Sequence, residues 1–107
     1  MKAIILAAGE GKRMRPLTLV KPKPMIEVLG KPLLHHLIDS MPAEITELII
    51  VVGYKAEAIK SYFGRNFEGR GVTYVVQPRQ LGNADALKLC QPYLGKGERF
   101  LFIFADD

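Results

Sequence analysis

The amino-acid sequence predicts an α/β fold with a mainly parallel sheet, and two features of the chain carry this prediction. Short apolar runs of strand length recur through the 107 residues, and segments with apolar residues at helical spacing separate them. The runs are apolar at nearly every position, which is typical of strands buried on both faces of a parallel sheet. Strands that alternate with helical segments favour right-handed crossovers, which place helices on the faces of the sheet.

The predicted order of elements is β-α-β-α-β-α-β. The four strands are continuous apolar or β-branched runs: Ala3–Ala7, Glu47–Val52, Val72–Val76 and Phe100–Phe104. We expect the last of these to be a buried strand. The three helices, of roughly 8 to 12 residues each, are expected from Pro32 in the first turn to Pro42, from Lys55 to Phe63 before Gly64, and from a capping Asn83 to Cys90. Met25–Leu29 is expected to form a brief extended piece.

The composition excludes several classes of protein. Hydrophobic residues make up 49% of the chain and charged residues 24%, which is typical of a soluble globular domain. The longest apolar stretch, Leu48–Val52, is far too short to span a membrane, so no membrane partner is expected. Cys90 is the only cysteine and cannot form an internal disulfide. We interpret it as a buried core thiol and expect a cytoplasmic protein.

The basic residues cluster around one glycine-bearing turn. The net charge is +4, but the lysines and arginines form no long run of the kind that binds nucleic acid. Four of the fifteen basic residues lie close to the turn Gly9-Glu-Gly11, namely Lys12, Arg13, Arg15 and Lys21. A small anionic ligand explains this clustering better than a nucleic acid does.

The stretch LAAGEGKRMRPLT, Leu6–Thr18, does not match two common phosphate-binding patterns. A P-loop needs an earlier glycine and a Ser or Thr after the lysine, and a dinucleotide-binding loop needs a third glycine. Gly9 and Gly11 nevertheless allow a sharp turn whose backbone N–H groups can approach a ligand closely. Arg13 offers a planar fork for phosphate oxygens, and Lys23 offers a mobile point charge.

This stretch, followed by Lys23-Pro24-Met25, closely resembles the signature of the sugar-1-phosphate nucleotidyltransferases, or NDP-sugar pyrophosphorylases. Further segments that resemble the family are Gly30-Lys-Pro32, Val52-Gly-Tyr54, Gln77 with Leu81-Gly82, and a strand that ends at Asp106. The resemblance implies a Rossmann-like three-layer α/β/α fold, the nucleotide-diphospho-sugar transferase fold. It also implies that the chain is truncated, residues 1–107 being the N-terminal nucleotide-binding part of a nucleotidyltransferase domain.

The family reaction joins a nucleoside triphosphate and a sugar 1-phosphate into an NDP-sugar and releases pyrophosphate, by in-line attack on the α-phosphorus. The resemblance implies catalytic roles for Arg13 on the leaving pyrophosphate and for Lys23 on the phosphates of the attacking sugar. It implies a Mg²⁺ cofactor held by Asp106. It implies nucleotide contacts from Ala8, Gly9, Gly11, Gln77 and Gly82.

Other interpretations stay open at this stage. Arg13 and Lys23 can be solvated charges, Gln77 can merely close a strand, and Asp106 can cap a helix. The chain can also be a non-catalytic module that binds nucleotide or a partner, or a transferase that uses another phosphorylated acceptor. Because the later half of a family domain is absent, the chain alone can be inactive, and its exposed apolar edge is expected to favour a homo-oligomer.

Some residues are not assigned to this chemistry. Two positions depart from the family, which usually has Thr or Ser where Lys12 stands and Thr where Asn83 stands. The adjacent residues His35 and His36 face different directions on a predicted helix, and we interpret both as structural. The base and the sugar are not specified by the sequence.

Overall fold

Four parallel strands form the centre of the computed structural model, which describes residues 1–8, 23–53, 56–78 and 82–105. The strands are β1 Lys2–Leu6, β2 Glu27–Val28, β3 Lys31–Pro32, β4 Glu47–Val52, β5 Asn66–Phe67, β6 Arg70–Val76 and β7 Phe100–Phe104. The helices are α1 Leu33–Asp39, α2 Ala56–Phe63 and α3 Asn83–Cys90, and short 3-10 turns cover Lys23–Met25 and Gln91–Tyr93.

The main sheet has the strand order β5-β6-β4-β1-β7. β1, β4, β6 and β7 run parallel, and the short β5 pairs antiparallel with β6. β1 lies between two partners, so that Leu6 faces Val51 of β4 on one side and Phe104 of β7 on the other. The predicted alternation of parallel strands and helices is confirmed.

Alternate residues of the central strands enter two separate cores, as the continuous apolar runs predicted. On one face, odd-numbered β1 residues such as Ala3 and Ile5 pack in a core cluster with Leu34 of α1 and Phe63 of α2. On the other face, the even-numbered Ile4 and Leu6 pack with Ala86 and Cys90 of α3. The sheet therefore has helices on both faces, and the expected three-layer α/β/α arrangement is confirmed.

The strand order explains why the helices lie on different faces. The chain moves outward from β1 to β4 and then to β6, and it returns to the opposite side of β1 for β7. Because crossover connections are right-handed, a reversal of direction moves the connecting helix to the other face. α1 and α2 thus share one face, and α3 covers the other.

Three expectations about the elements were wrong in detail. The last strand is only partly buried, with Leu101 38% and Phe104 50% exposed, because β7 pairs only with β1 in the described part of the chain.

The other two concern where helices begin. Pro32 precedes the first helix as its N-cap residue and ends β3. Asn83 is the first residue of α3, whose N-cap is Gly82 without a side-chain hydrogen bond. The helices are also short, with seven, eight and eight residues.

Two tight hairpins have turn residues with positive φ. Leu29 and Gly30 join β2 to β3 with φ of 53° and 82°. The extended piece expected over Met25–Leu29 is limited to Glu27–Val28, because Met25 ends a 3-10 turn and Leu29 lies in the hairpin turn. Glu68 and Gly69 join β5 to β6 with φ of 52° and 84°. Two consecutive positive φ values are the signature of the type I′ turn, whose twist matches that of the strands. Without Asn-Gly or Asp-Gly at these turns, the sequence did not predict either hairpin.

Arg70 joins the β5–β6 hairpin to the end of α1. Its guanidinium donates hydrogen bonds to four main-chain carbonyls, those of Ile38, Met41, Pro42 and Ile45, at 2.7–3.3 Å. Ile38 O lies in the last turn of α1, where carbonyls carry partial negative charge, and the other three carbonyls belong to the segment that follows the helix. The guanidinium therefore holds this segment against the hairpin.

Two further predictions from composition can be compared with the structure. Cys90 is completely buried, as predicted, and burial raises the pKa of its thiol. None of the helices within the described ranges is long and apolar enough to cross a membrane.

We predict that Arg70→Met destabilises the fold, because it removes the donor of four hydrogen bonds; Ile38 O and Pro42 O still accept from Met41 N and Ile45 N. The loss of hydrogen bonds from a charged group should lower the free energy of unfolding by about 2 kcal/mol. For a domain of this size that corresponds to a fall in melting temperature of roughly 10 °C, measurable by calorimetry. Arg65→Met on the same hairpin is the control, because the Arg65 side chain is exposed. Equal melting temperatures of the two variants would contradict the assigned role of Arg70.

Glu98 provides a second prediction, which concerns acid stability. Its Oε1 accepts hydrogen bonds from Gly95 N at 2.6 Å and Lys2 Nζ at 3.2 Å, which lower the pKa of its carboxyl, the backbone contact first. A lowered pKa in the folded state adds stability above the ordinary glutamate pKa, and this stability is lost as the pH falls through the folded value.

Glu98→Gln should therefore lower the urea midpoint at neutral pH, and the difference from the parent chain should vanish in acid below the ordinary glutamate range. A series of urea titrations from neutral to acidic pH measures this. Glu44→Gln is the matched control, since the exposed Glu44 side chain makes no ion pair with the described residues. A difference that is independent of pH would refute the electrostatic explanation.

Candidate functional site

The candidate site lies at the carboxyl edge of the parallel sheet, where β1 and β7 end side by side. β1 and β7 are neighbours, although they are the first and last strands of the sheet along the chain. The chain passes from β1 to β4 and β6 on one side of β1, and then crosses back to β7 on the other side. Such a point, at which the strand order reverses, leaves a crevice beyond the strand ends where ligands of open α/β sheets bind. Ala7 and Ala8 follow β1 at this edge of the sheet, and Ala105 follows β7; in the sequence Gly9 and Asp106 come next.

Main-chain hydrogen bonds extend the pairing one residue past several strands at this edge. Ala7 N donates to Val51 O, Ala105 N donates to Leu6 O, and Gln77 N donates to Val52 O, each at 2.8 Å. These bonds hold Ala7 beside Val51 of β4 and Ala105 beside Leu6 of β1. The residues just after β1 and just after β7 are therefore fixed next to each other.

Gly53 fills the narrow space between Ala8 and Gln77. A Cβ atom at Gly53 would lie 3.0 Å from Gln77 O and 3.5 Å from both Ala8 Cβ and Ala8 O. The first distance is shorter than a carbon and a carbonyl oxygen normally adopt, and a main-chain carbonyl cannot move aside cheaply. The chain thus needs glycine here to bring the ends of β1, β4 and β6 together.

Gln77 is 6% exposed and is the only buried polar side chain among residues 1–8, 23–53, 56–78 and 82–105. Its Nε2 donates to Gly82 O at 3.3 Å and to Asp85 Oδ2 at 3.0 Å. A primary amide nitrogen has two hydrogens, so both have acceptors. These contacts fix the side-chain amide, and its remaining hydrogen-bonding capacity is that of an acceptor at Oε1.

Gly82 has a φ of +99° and forms the N-cap of α3. A non-glycine residue is strained at this φ, whereas a Cβ would meet no described heavy atom within 4 Å. The conformation, rather than a lack of space, therefore requires glycine. Gly82 O also accepts a hydrogen bond from Ala86 N, so it links the helix start to Gln77.

The predicted site residues divide into those that the structure describes and those that it does not. Ala8, Gln77 and Gly82 lie together, connected through Gly53 and the Gln77 amide. Lys23 begins the 3-10 turn whose Met25 is buried in the α1–α2 core, while the Lys23 side chain lies outside the described part. Four predicted residues lie outside the described residues altogether: Gly9, Gly11, Arg13 and Asp106.

Two residues of this region were not assigned a role from the sequence. Gly53 carries a recognisable signal, since a glycine directly after a buried parallel strand often marks a close backbone approach. Asp85 lies in the first turn of α3, where a carboxylate interacts favourably with the helix dipole. Because acidic residues are common at this position, the sequence did not indicate that Asp85 also accepts a hydrogen bond from Gln77.

Comparison with known proteins places this arrangement among nucleotide-transferring enzymes. The chain is 41% identical over 108 residues to the UTP–glucose-1-phosphate uridylyltransferase AglF of Haloferax volcanii, an alignment that covers all of the chain and 44% of AglF. It is 36% identical over 110 residues to a mannose-1-phosphate guanyltransferase of Candida albicans, covering all of the chain and 30% of that protein.

Solved structures agree with the sequence comparison. A Bacillus anthracis protein, assigned as a glucose-1-phosphate thymidylyltransferase and solved with sucrose, superposes with a TM-score of 0.89 at 35% identity. That match covers 99% of this chain and 44% of the other. A UDP-glucose pyrophosphorylase in complex with UDP-glucose superposes with a TM-score of 0.83 at 27% identity, covering 97% of this chain and 45% of the other.

The chain thus spans less than half the length of these relatives. The family model described as Nucleotidyl transferase matches residues 2–107, which is nearly the whole chain. The chain therefore belongs to the nucleotidyl transferase family.

Proposed function

We propose that residues 1–107 supply the nucleotide half-site of a transferase that forms an NDP-sugar and pyrophosphate from a nucleoside triphosphate and a sugar 1-phosphate. The observation that carries the proposal is the reversal of strand order between β1 and β7, because ligands of open α/β sheets bind beyond the strand ends at such a point. In the sequence, Gly9 and Gly11 come shortly after β1. Family membership and the names of the relatives, which include uridylyl- and guanyltransferases of sugar phosphates, support the same reaction.

In the proposed reaction the sugar phosphate oxygen attacks the α-phosphorus in line, so the protein needs no nucleophile of its own. Catalysis then consists of alignment and of stabilising the charge that develops on the phosphates. Main-chain N–H groups near Ala8, Gly9 and Gly11 would contact the ribose and phosphates. Arg13 would stabilise the departing pyrophosphate, and Lys23 would bind the phosphates of the attacking sugar.

Asp106 would hold a Mg²⁺ ion beside the phosphates. A carboxylate oxygen is the ligand type that Mg²⁺ prefers, and Asp106 directly follows the residue that hydrogen-bonds to Leu6 O at the end of β1. When bound, the ion would neutralise charge on the phosphate oxygens.

Gln77 and Gly82 would form the base side of the site. Since both amide hydrogens of Gln77 have acceptors within the protein, the side chain would meet a base by accepting an N–H hydrogen bond at Oε1. A ring N–H of uracil, thymine or guanine can donate to this oxygen, and so can the exocyclic amino group of adenine or cytosine, so the contact alone does not select a base. The relatives are named as uridylyl-, thymidylyl- and guanyltransferases. On that ground we propose a preference for uracil, thymine or guanine.

A direct test mixes the chain with Mg²⁺, glucose or mannose 1-phosphate and each common nucleoside triphosphate, and measures pyrophosphate release together with nucleotide binding by calorimetry. We expect saturable binding, strongest for UTP, dTTP or GTP. Arg13→Ala should weaken it roughly tenfold to a hundredfold, as expected for loss of a charged hydrogen bond. Arg65→Ala, in an exposed position remote in sequence from the loop, should leave it unchanged.

Each outcome of this test has a defined meaning. Binding with turnover supports the complete reaction, and binding without turnover supports a half-site that needs further residues. Absence of binding to any nucleoside triphosphate, or equal binding by the parent chain and Arg13→Ala, would overturn the proposal.

A second prediction uses Gly53. Gly53→Ala should push the Gln77 carbonyl away from Ala8, because the new Cβ would lie only 3.0 Å from it. Overpacking of this kind typically costs about 1–3 kcal/mol, and we expect both a lower melting temperature and weaker nucleotide binding. The matched control is Gly71→Ala, whose Cβ would meet only Glu47 Cγ, at 3.9 Å. If the two variants bind nucleotide equally well, the close approach at Gly53 does not shape the site.

A further inference from the structure

A second cluster of ionisable side chains lies near the opposite, amino end of the sheet. His35 and Asp39 are four residues apart on α1 and so share one helical face, and Glu68 extends from the turn between β5 and β6. One ligand atom from each of the three residues lies within 4.8 Å of the others. Asp39 and Glu68 also line an open depression of about 360 Å³ together with Thr46, the residue before β4.

The His35 ring is held in one orientation. Its Nδ1 lies 2.8 Å from the Tyr62 hydroxyl, and its edge contacts Phe67 at a centroid distance of 4.9 Å. This leaves Nε2 directed at the carboxylates, 3.4 Å from Asp39 Oδ2 and 3.4 Å from Glu68 Oε2. Nε2 is fully buried, yet neither carboxylate is aligned to form a hydrogen bond with it within the described structure.

These distances are those of ligands that share one metal ion. Two ligand atoms bound at about 2.0–2.1 Å to a tetrahedral ion lie roughly 3.3–3.4 Å apart. A ligating histidine usually donates its other ring N–H, and Nδ1–H of His35 can donate to the Tyr62 hydroxyl oxygen while Nε2 faces the ion. We propose that His35, Asp39 and Glu68 bind one divalent transition-metal ion of the zinc class, with water from the adjacent depression as a further ligand.

The surrounding charges agree with this proposal. The pKa of the Asp39 carboxyl is lowered, first by a hydrogen bond with the Glu68 carboxyl and then by Lys31. A cation, the Lys31 ammonium, thus already lies beside the Asp39 carboxylate, and a divalent ion would take its place. Lys31 Nζ is 3.1 Å from Asp39 Oδ2, but its side chain is 46% exposed and can turn into solvent.

The imidazole distinguishes this site from the one proposed at Asp106. Nitrogen ligands suit zinc, cobalt and nickel, whereas an all-oxygen set suits Mg²⁺. The ion would join α1 to the β5–β6 hairpin, which are the same two elements that Arg70 connects. The proposal does not depend on the transferase reaction, because its test measures metal binding alone.

The test titrates the metal-stripped, tag-free chain with Co²⁺ in excess Mg²⁺ and follows the visible absorption that tetrahedral Co²⁺ produces. We expect one Co²⁺ per chain, displaced by one Zn²⁺. His35→Gln and Glu68→Gln should each lose the tetrahedral absorption and bind at least tenfold more weakly. Tyr62→Phe, which removes the partner that orients His35, should bind about tenfold more weakly, as such changes commonly do.

His36→Gln is the matched control, since His36 is the next residue on α1 and its Nε2 contacts the Val28 carbonyl instead. It should bind Co²⁺ as the parent chain does. Circular dichroism checks that each variant is folded; if His35→Gln is not, Glu68→Gln decides the question, because Glu68 lies in an exposed turn. No binding by the parent chain, or equal binding by the parent and Glu68→Gln, would overturn the proposal.

Discussion

The rest of the structure depends on the burial of β1 on all four sides. Its two edges pair with β4 and β7, and its two faces contribute to two cores. Ala3, Ile4 and Ile5 are each completely buried, so these three residues contribute hydrophobic stabilisation at the centre of the domain. Polar contacts are confined to the ends of the strand, as the ion pairs of Lys2 at its start show. A ligand could therefore meet β1 at the carboxyl edge only through residues that follow the strand.

The two ends of the sheet present different kinds of groups. At the carboxyl end, main-chain groups dominate the described site, and glycine at positions 53 and 82 allows the backbone to approach closely or to adopt a positive φ. At the amino end, side chains dominate: Arg70 binds carbonyls, and His35 faces two carboxylates. We propose phosphates and a nucleotide base as ligands of the first region and a cation as the ligand of the second. The two proposed sites would then be separated by the full length of the strands.

Much of the fold could be predicted from the sequence because the central strands are largely apolar. β4 and β7 have the predicted bounds, Glu47–Val52 and Phe100–Phe104. The sequence could not show that β7 lies at an edge, since an apolar run does not reveal how many neighbours a strand has, and Phe104 is half exposed. Asn83 was predicted as a cap from its residue type, whereas the conformation at Gly82 determines where α3 begins. For the candidate site, the resemblance implied nucleotide contacts from Gln77 and Gly82, but not the hydrogen bonds that join Gln77 to Gly82 and Asp85, because an acidic residue early in a helix is common.

Gln77 illustrates why the proposed base-binding region depends on the fold around it rather than on a single residue. A buried amide is stable only when its hydrogens have acceptors, and the two acceptors come from Gly82 at the start of α3 and from Asp85 one turn further on. α3 in turn is held against β1 by Ala86 and Cys90, which pack with Ile4 and Leu6. The orientation of a single acceptor oxygen therefore depends on the core on that face of the sheet. In contrast, the His35 cluster depends on the opposite core through α1, so a change in one core should alter one site and spare the other.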